Sequence, residues 1–190
     1  MRVLSRGRNS MSAVAYVTLE TALGCFTVQL QGDRAPLTSA NFLAYVDSGR
    51  YDNSSFFRIV NPSIQGSNGA DGISVIVGGT RPLAASNLPK IALESTLHTG
   101  LQHRHGTLSL GREDEADSGE GEFFVCIGDH PQLDHGGSRH EDGLGFAAFG
   151  QVCAGMEVVE AIWGSAGLQE YLSAESEVRI LRAYRVAGGV

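Results

Sequence analysis

Apolar and polar residues alternate in two neighbouring stretches near the start of the chain. Val17 and Leu19 alternate with threonine and glutamate, and Phe26 and Val28 repeat the pattern after a glycine-containing turn. Alternation with a period of two sends successive side chains to opposite faces of a strand. The pattern therefore predicts a β-hairpin over residues 16–31.

Two later segments have the apolar spacing of a helix instead. Residues 37–48 place their large apolar side chains on one face, with Pro36 at the first helical position and Gly49 just past the end. Proline is favoured at the start of a helix and glycine just after its last turn. A second, shorter helix is predicted after Gly155, where apolar residues recur at helical spacing.

The rest of the patterned chain consists of short runs rich in β-branched and aromatic residues. The predicted strands are 55–60, 73–77, 106–110, 122–127, one starting at 146, and 178–186. Gly78-Gly79 is predicted as a turn. Many short strands with only two helices predict one closed all-β domain, because a barrel leaves no sheet edge exposed. This domain is expected over residues 15–187, after an N-terminal tail of residues 1–14 predicted to be disordered.

Composition indicates which partners the chain is not expected to bind and which cellular compartment is expected. Hydrophobic residues make up 42% of the 190 residues, and the formal net charge is −7. An acidic chain is unsuited to neutralising phosphates, so nucleic acid is not an expected partner. No run of about 18 apolar residues exists, so no membrane span is predicted. Three widely spaced cysteines predict reduced, core-filling thiols in a cytoplasmic protein, and nothing indicates more than a monomer.

Common catalytic motifs are absent from the sequence. It contains no HExxH, no phosphate-binding loop, no GxSxG and no GxGxxG after a strand. The spacing of the six histidines matches no standard set of metal ligands, so they are interpreted as solvated loop residues and no metal site is expected. They are His98, His103, His105, His130, His135 and His140.

Arg58 is the most informative single residue. It interrupts an otherwise apolar strand between two phenylalanines and Ile59-Val60. The simple interpretation is an arginine on the solvent face of the strand, and the alternative is a site residue beside aromatic side chains. Phe124 poses the same question, because in Phe123-Phe124 one ring points to the core and the other points away.

An ordered series of short motifs runs along the chain over roughly residues 15–187. The motifs are Tyr16–Gly24, Phe26–Leu30, Ala35–Thr38, Asn41–Leu43, Gly49–Tyr51, Phe56–Arg58, Ile64–Gly66, Gly106–Leu110, Glu122–Val125, Leu133-Asp134, Phe149–Val152 and Gly155-Met156. In this order they resemble the cyclophilin family, in a form typical of bacterial members with an extended loop at residues 136–150. The resemblance implies a closed eight-stranded antiparallel β-barrel capped by two α-helices. It also implies peptidyl-prolyl cis/trans isomerase activity with no cofactor.

The implied chemistry gives Arg58 a role. Rotation about a peptide bond has a barrier of roughly 18–20 kcal/mol, and no bond is broken. The imide nitrogen of an X-Pro bond gains a lone pair as the bond twists. A guanidinium that donates to this lone pair stabilises the transition state far more than the planar ground state. Arginine suits this task because it stays charged at any working pH.

The resemblance also assigns the substrate-binding residues. Phe124 and Leu133 match the apolar wall of the proline pocket. Gln65 matches the amide that contacts the substrate backbone, and Gly111 and Arg112 lie on the segment that lines the neighbouring groove.

The pocket departs from the family pattern at several positions. Glu122 replaces the usual glutamine and, as a carboxylate, can accept but not donate a hydrogen bond. Phe146 replaces a histidine of the pocket wall, and Gln132 replaces a rim tryptophan. Between Arg58 and Gln65 the chain is one residue short, and Pro62-Ser63 stand where an aromatic and a methionine would form the floor.

These departures leave two functions open. The leading hypothesis is an isomerase that acts on X-Pro bonds of peptides and refolding proteins and so assists folding. The alternative is a weakly active or inactive module that binds proline-containing segments. A metal enzyme using the histidines is the least favoured hypothesis. Because of Gln132, the cyclic peptide inhibitors of the family are expected to bind with reduced affinity.

Overall fold

The computed structural model describes residues 14–65 and 72–187. In chain order its elements are β1 Ala15–Thr21, β2 Gly24–Leu30, α1 Pro36–Asp47, β3 Ser55–Val60, α2 Pro62–Gln65, β4 Val75–Gly79, α3 Thr96–Thr99, β5 Thr107–Leu110, β6 Glu122–Cys126, a 3-10 turn Pro131–Leu133, β7 Ala147–Ala154, α4 Met156–Gly164 and β8 Val178–Val186. The predicted tail lies outside the described residues except for Val14, which is exposed.

All eight strands join in one closed antiparallel barrel, so the predicted architecture is confirmed. The strand order around the barrel is β1-β2-β7-β5-β6-β4-β3-β8. The predicted hairpin is the β1–β2 pair, in which Val17 lies opposite Val28 and Leu19 opposite Phe26. All four of these side chains are buried inside the barrel because the alternation turns them to the same face.

The two longer helices pack on the barrel as predicted. Helix α1 begins at Pro36, and Gly49, with a φ of +68°, follows its C-terminal cap. Phe42 of α1 and Ile162 of α4 are fully buried in the main core. In addition to these helices, α2 and α3 are single turns that the sequence pattern did not predict.

Gly78 and Gly79 belong to β4, so their prediction as a turn is wrong. Gly78 lies opposite Phe56 on one side and Phe123 on the other. A Cβ on Gly78 would lie 2.7 Å from the ring of Phe56. Glycine is required here because two aromatic rings of the core pack against the strand.

Apolar side chains form two separate clusters. The main core fills the barrel interior and includes Phe26, Phe42 and Phe123. A smaller cluster, here called the outer cluster, consists of Phe57, Val60, Ile73, Val75, Val77, Phe124, Cys126 and Leu133, with Phe146 packed against it. Because β3, β4 and β6 bury residues on both faces, a second apolar surface lies beside the barrel.

Among the described residues, no helix is both long enough and apolar enough to cross a membrane. The three cysteines are free, as predicted. Only Cys126 is buried, and Cys25 and Cys153 are exposed, so the prediction that all three fill the core is wrong for two of them.

Candidate functional site

Arg58 and Phe124 lie on the same face of the barrel wall. Arg58 of β3 is paired with Val77 of β4, and Val77 is paired with Phe124 of β6. Residues directly opposite each other in antiparallel strands project to the same side of the sheet. Two strand spacings separate Arg58 from Phe124, which is about 10 Å between Cα atoms. A long arginine side chain and a phenylalanine ring can therefore contact the same small ligand.

The Arg58 guanidinium is held from one side. Its Nε donates to Oε1 of Glu170 at 2.6 Å, and its Nη2 contacts the same oxygen. The ring of Tyr171 lies below it, with Cζ 5.2 Å from the ring centre. The side chain is 26% exposed, and Nη1 has no acceptor within the described part of the chain. The two N–H groups of Nη1 thus remain available to a ligand.

Phe124, Leu133 and Phe146, predicted as the proline-pocket wall, come together in the structure. The rings of Phe124 and Phe146 meet edge to face, with centroids 5.6 Å apart. The backbone N–H of Phe146 donates to the carbonyl of Leu133 at 3.0 Å. Phe124 and Leu133 are buried, and Phe146 is partly exposed at the edge of the outer cluster. The result is an apolar wall formed by three side chains.

A buried histidine, His103, supports this wall. The His103 ring stacks on Phe124, with centroids 5.9 Å apart and planes inclined by 15°. Its Nδ1 lies 2.7 Å from Asp134, and its Nε2 lies 2.8 Å from the Ser109 hydroxyl. Predicting solvated histidines is therefore wrong for His103, and also for His130, which is buried. The partners of His103 are distant in sequence, and no local pattern indicates them.

Arg112 reinforces the wall from the loop side. Its Nε donates to the carbonyl of Gly145 at 2.8 Å, and its Nη2 donates to Asp142 at 2.7 Å. The guanidinium lies over the ring of Phe146, 5.4 Å from its centre, and the side chain is only 2% exposed. The hydrogen bond from Arg112 lowers the pKa of Asp142 to about 2. Arg112 therefore fixes the loop that carries Phe146.

Glu122 is a partly buried carboxyl group at the start of β6. No side chain in the described ranges donates a hydrogen bond to it, and burial raises its pKa to about 7. Arg58 opposes this shift, whereas Glu113 adds to it and Arg81 opposes it more weakly. Gly111 provides the space for Glu122, because a Cβ there would lie 2.6 Å from Oε1. Both residues line a small recess, together with Arg112.

The remaining predicted positions are not all described. Gln65 is the last residue of α2, and the structure does not describe its side chain. Its contact with the substrate backbone therefore stays a prediction. Ser63 is exposed and does not form a floor. Val60 and Ile73 are members of the outer cluster instead. Gln132 donates to the carbonyl of Gly72 at 2.9 Å, so its amide is occupied by the backbone.

The site offers hydrogen-bond donors and an apolar wall, but no assembled metal ligands. In residues 14–65 and 72–187, no three histidine, cysteine or acidic side chains lie close enough to share a metal ion. The arrangement suits a ligand with a compact apolar ring beside a backbone amide.

Comparison with known proteins identifies a family. The family model described as cyclophilin type peptidyl-prolyl cis-trans isomerase matches residues 16–185. Among curated relatives, peptidyl-prolyl cis-trans isomerase cyp18 of Streptomyces antibioticus is 33% identical over 78% of this chain and 82% of its own. Peptidyl-prolyl cis-trans isomerase B of Escherichia coli is 31% identical over 79% and 85%.

A solved structure supports the fold. The cyclophilin type isomerase of Cryptosporidium parvum superimposes with a TM-score of 0.72 at 19% identity, covering 93% of this chain and all of that one. Another crystal structure of that protein was obtained in the presence of the dipeptide Ala-Pro.

Proposed function

The chain belongs to the cyclophilin-type peptidyl-prolyl cis-trans isomerase family, and we propose that its Arg58 catalyses the cis/trans isomerisation of X-Pro bonds in peptides and refolding proteins. The observation that carries this proposal is that Arg58 and Phe124 project from the same face of the barrel wall, with their Cα atoms about 10 Å apart, and that Nη1 of Arg58 has no acceptor among the described residues. The proline ring packs on the wall and the guanidinium meets the imide nitrogen.

The reaction needs only this stabilisation. In the planar bond the nitrogen lone pair is delocalised into the carbonyl, and twisting the bond localises it on nitrogen. A donated N–H from Arg58 then gains strength as the barrier is crossed, which is the differential binding that accelerates a reaction. A charge-assisted hydrogen bond of about 2–3 kcal/mol corresponds to roughly 30- to 150-fold in rate. No nucleophile, general base or cofactor has to take part.

The wall holds the ring without restraining the backbone. Phe124, Leu133 and Phe146 supply apolar contacts, and the His103 ring behind Phe124 keeps that wall in place. Glu122 and Gly111 lie in the adjoining recess, where the residue that follows proline is expected to bind. Gln65 is proposed to hold the substrate backbone beside Arg58.

A second candidate function is binding of proline-containing segments with little turnover. It is favoured by one observation, the exposure of Ser63 at the predicted floor, which leaves the proline ring fewer apolar contacts. The two functions predict the same binding and different exchange rates.

Further proposals concern the setting of the reaction. Three free cysteines, two of them exposed, favour a reducing compartment such as the cytoplasm. We expect a monomer that assists protein folding, with no nucleic acid among its partners because the net charge is −7. Cyclic peptide inhibitors of the family are expected to bind weakly, because Gln132 gives the rim a smaller and more polar surface.

The deciding experiment is the cis-to-trans rate of an Ala-Pro-Phe-containing peptide at 10 °C, where the uncatalysed rate is low because its activation energy is about 20 kcal/mol. Wild type is expected to accelerate exchange, and Arg58→Ala to lower kcat/KM at least tenfold, or about 1.4 kcal/mol. Arg185→Ala is the matched control, since Arg185 also pairs with a carboxylate but lies on β8. Peptide binding without acceleration by wild type would establish the binding module instead.

A further inference from the structure

A short segment after α4 runs alongside β3 at the position of Arg58. We call residues 170–172 the strap. The backbone N–H of Ile59 donates to the carbonyl of Glu170 at 2.9 Å, and that of Leu172 donates to the carbonyl of Phe57 at 2.9 Å. These two bonds enclose Arg58, which forms an antiparallel bridge with Tyr171. The backbone thus sets Glu170 and Tyr171 beside the catalytic side chain.

The strap provides all the described side-chain contacts of the Arg58 guanidinium. Oε1 of Glu170 accepts from Nε and contacts Nη2, and the Tyr171 ring covers one face. A guanidinium carries five N–H groups in a fixed plane. Glu170 engages the edge formed by Nε and Nη2, so the opposite end, Nη1, is left for a substrate.

We propose that Glu170 is a positioning residue for Arg58, which fixes the guanidinium plane through Nε and Nη2 so that Nη1 is presented to the imide nitrogen. This proposal rests on the proposed function. A free arginine side chain has many rotamers, and holding it in one orientation before the substrate arrives removes an entropy cost from the transition state. The negative charge of Glu170 weakens the electrostatic effect of the Arg58 guanidinium only slightly, because Glu170 is partly exposed and therefore screened by water.

Two variants of Glu170 test the proposal in the isomerisation assay. Glu170→Ala removes the carboxylate that holds Nε and Nη2 of Arg58. We expect kcat to fall about five- to tenfold while KM changes less than twofold. Glu170→Gln keeps an oxygen acceptor for the same N–H groups, so it should retain at least half of the wild-type kcat. Asp47→Asn is the matched control, because Asp47 holds Arg185 in a comparable way away from the site. It should leave both constants unchanged.

A spectroscopic readout separates positioning from a general structural effect. The Nε–H proton of Arg58 should give a distinct NMR signal that exchanges slowly with water in wild type and in Glu170→Gln, and that is lost in Glu170→Ala. The strap is held by backbone hydrogen bonds, so the variants are expected to fold, and circular dichroism checks this. A kcat for Glu170→Ala equal to or above that of wild type would overturn the proposal.

The outcomes also distinguish this proposal from the proposed function. If Arg58→Ala is as active as wild type, the catalyst itself has been misassigned. If Arg58→Ala is impaired while Glu170→Ala is not, only the positioning role is lost. The double variant Arg58→Ala/Glu170→Ala should be no slower than Arg58→Ala, because Glu170 acts through the arginine. A further loss in the double variant would contradict the proposal.

Discussion

Arg58 and Arg112 face the same site with the same kinds of partner but differ in what they can still bind. Each contacts a carboxylate and lies over an aromatic ring, Tyr171 for Arg58 and Phe146 for Arg112. Arg112 is 2% exposed, and its Nη1 also lies 3.3 Å from a histidine nitrogen and 3.4 Å from two loop carbonyls. Arg58 is 26% exposed, and within residues 14–65 and 72–187 its Nη1 has no acceptor.

This difference distinguishes Arg58, which we propose as the catalytic arginine, from Arg112, which supports the structure of the loop. A donor can stabilise a transition state only if the folded protein has not already consumed it. By that criterion Arg58 is available for chemistry, whereas Arg112 would have to break contacts with its own loop. The comparison predicts that losing Arg58 impairs rate and that losing Arg112 impairs stability.

The largest expected effect is that of Arg112→Ala on stability. Removing the guanidinium takes away the hydrogen bonds that it donates to Asp142 and to the carbonyl of Gly145. We expect the free energy of unfolding to fall by about 2–3 kcal/mol, measured by urea denaturation. Arg58→Ala is the contrasting variant. Its free energy of unfolding should fall by less than about 1 kcal/mol, because the ion pair between Arg58 and Glu170 is partly exposed. Equal losses in the two variants would contradict the division of roles.

The next effect concerns the ring that Arg112 supports. Phe146→Ala removes an edge-to-face partner of Phe124, and such aromatic pairs contribute about 0.5–1.5 kcal/mol. KM for the proline peptide should rise about three- to tenfold with little change in kcat. Phe146→Leu serves as the control, since it keeps apolar volume and should lie between wild type and Phe146→Ala. A fall in kcat alone would show that Phe146 does not hold the ring.

A smaller effect is expected from the ionisation of Glu122. Its pKa is raised by burial to about 7, so it is neutral below that pH and charged above it. The charged form competes for the Arg58 guanidinium, so kcat/KM of wild type should fall about two- to threefold as pH rises through 7. The Glu122→Gln profile should be flat, and a profile that keeps the step would assign it to another group.

Stability should follow the same ionisation. Because the folded pKa of Glu122 lies above its ordinary 4.5, the neutral form favours the native state. That contribution is complete below about pH 4.5 and is lost as pH rises to about 7. Wild type should therefore lose stability relative to Glu122→Gln over this range, as measured by denaturation at several pH values.

The smallest effect is expected for the partner of Arg112. The lowered pKa of Asp142, about 2 against an ordinary 3.8, means that its charged form stabilises the native state. Asp142→Asn should lower the urea midpoint slightly at pH 7. The difference from wild type should vanish as pH falls from about 4 to 2, where the wild-type carboxyl is protonated. A difference that persists at pH 2 would point to lost packing rather than lost charge.

The barrel and the face of the site could be predicted because both depend on short-range pattern. Alternation in β1 and β2 identifies which side chains enter the core, and the family motifs imply the closed eight-stranded barrel. The apolar strand around Arg58 and the Phe123-Phe124 pair mark the outer face in the same way. These features are local, so a single sequence contains them.

The partners of the arginines could not be predicted, because they come from loops far along the chain. Glu170 follows Arg58 by 112 residues, and Asp142 follows Arg112 by 30. A loop carboxylate has no periodicity that assigns it a partner. The same holds for His103, whose contact with Asp134 depends on how two loops fold together. The turn prediction for Gly78-Gly79 is wrong because two glycines indicate a turn unless the aromatic rings packed against them are known.

The strap also covers backbone hydrogen-bonding groups of β3 that β8 leaves unpaired. Strands β3 and β8 are paired at only two positions, Ser55 with Arg179 and Phe56 with Val178. Without residues 170–172, the N–H and carbonyl groups of β3 beyond that point would form an open template for another extended chain. Proline-containing substrates and unfolding proteins are themselves extended chains. By pairing with that edge, the strap occupies the β3 groups to which an extended chain would otherwise add as an extra strand.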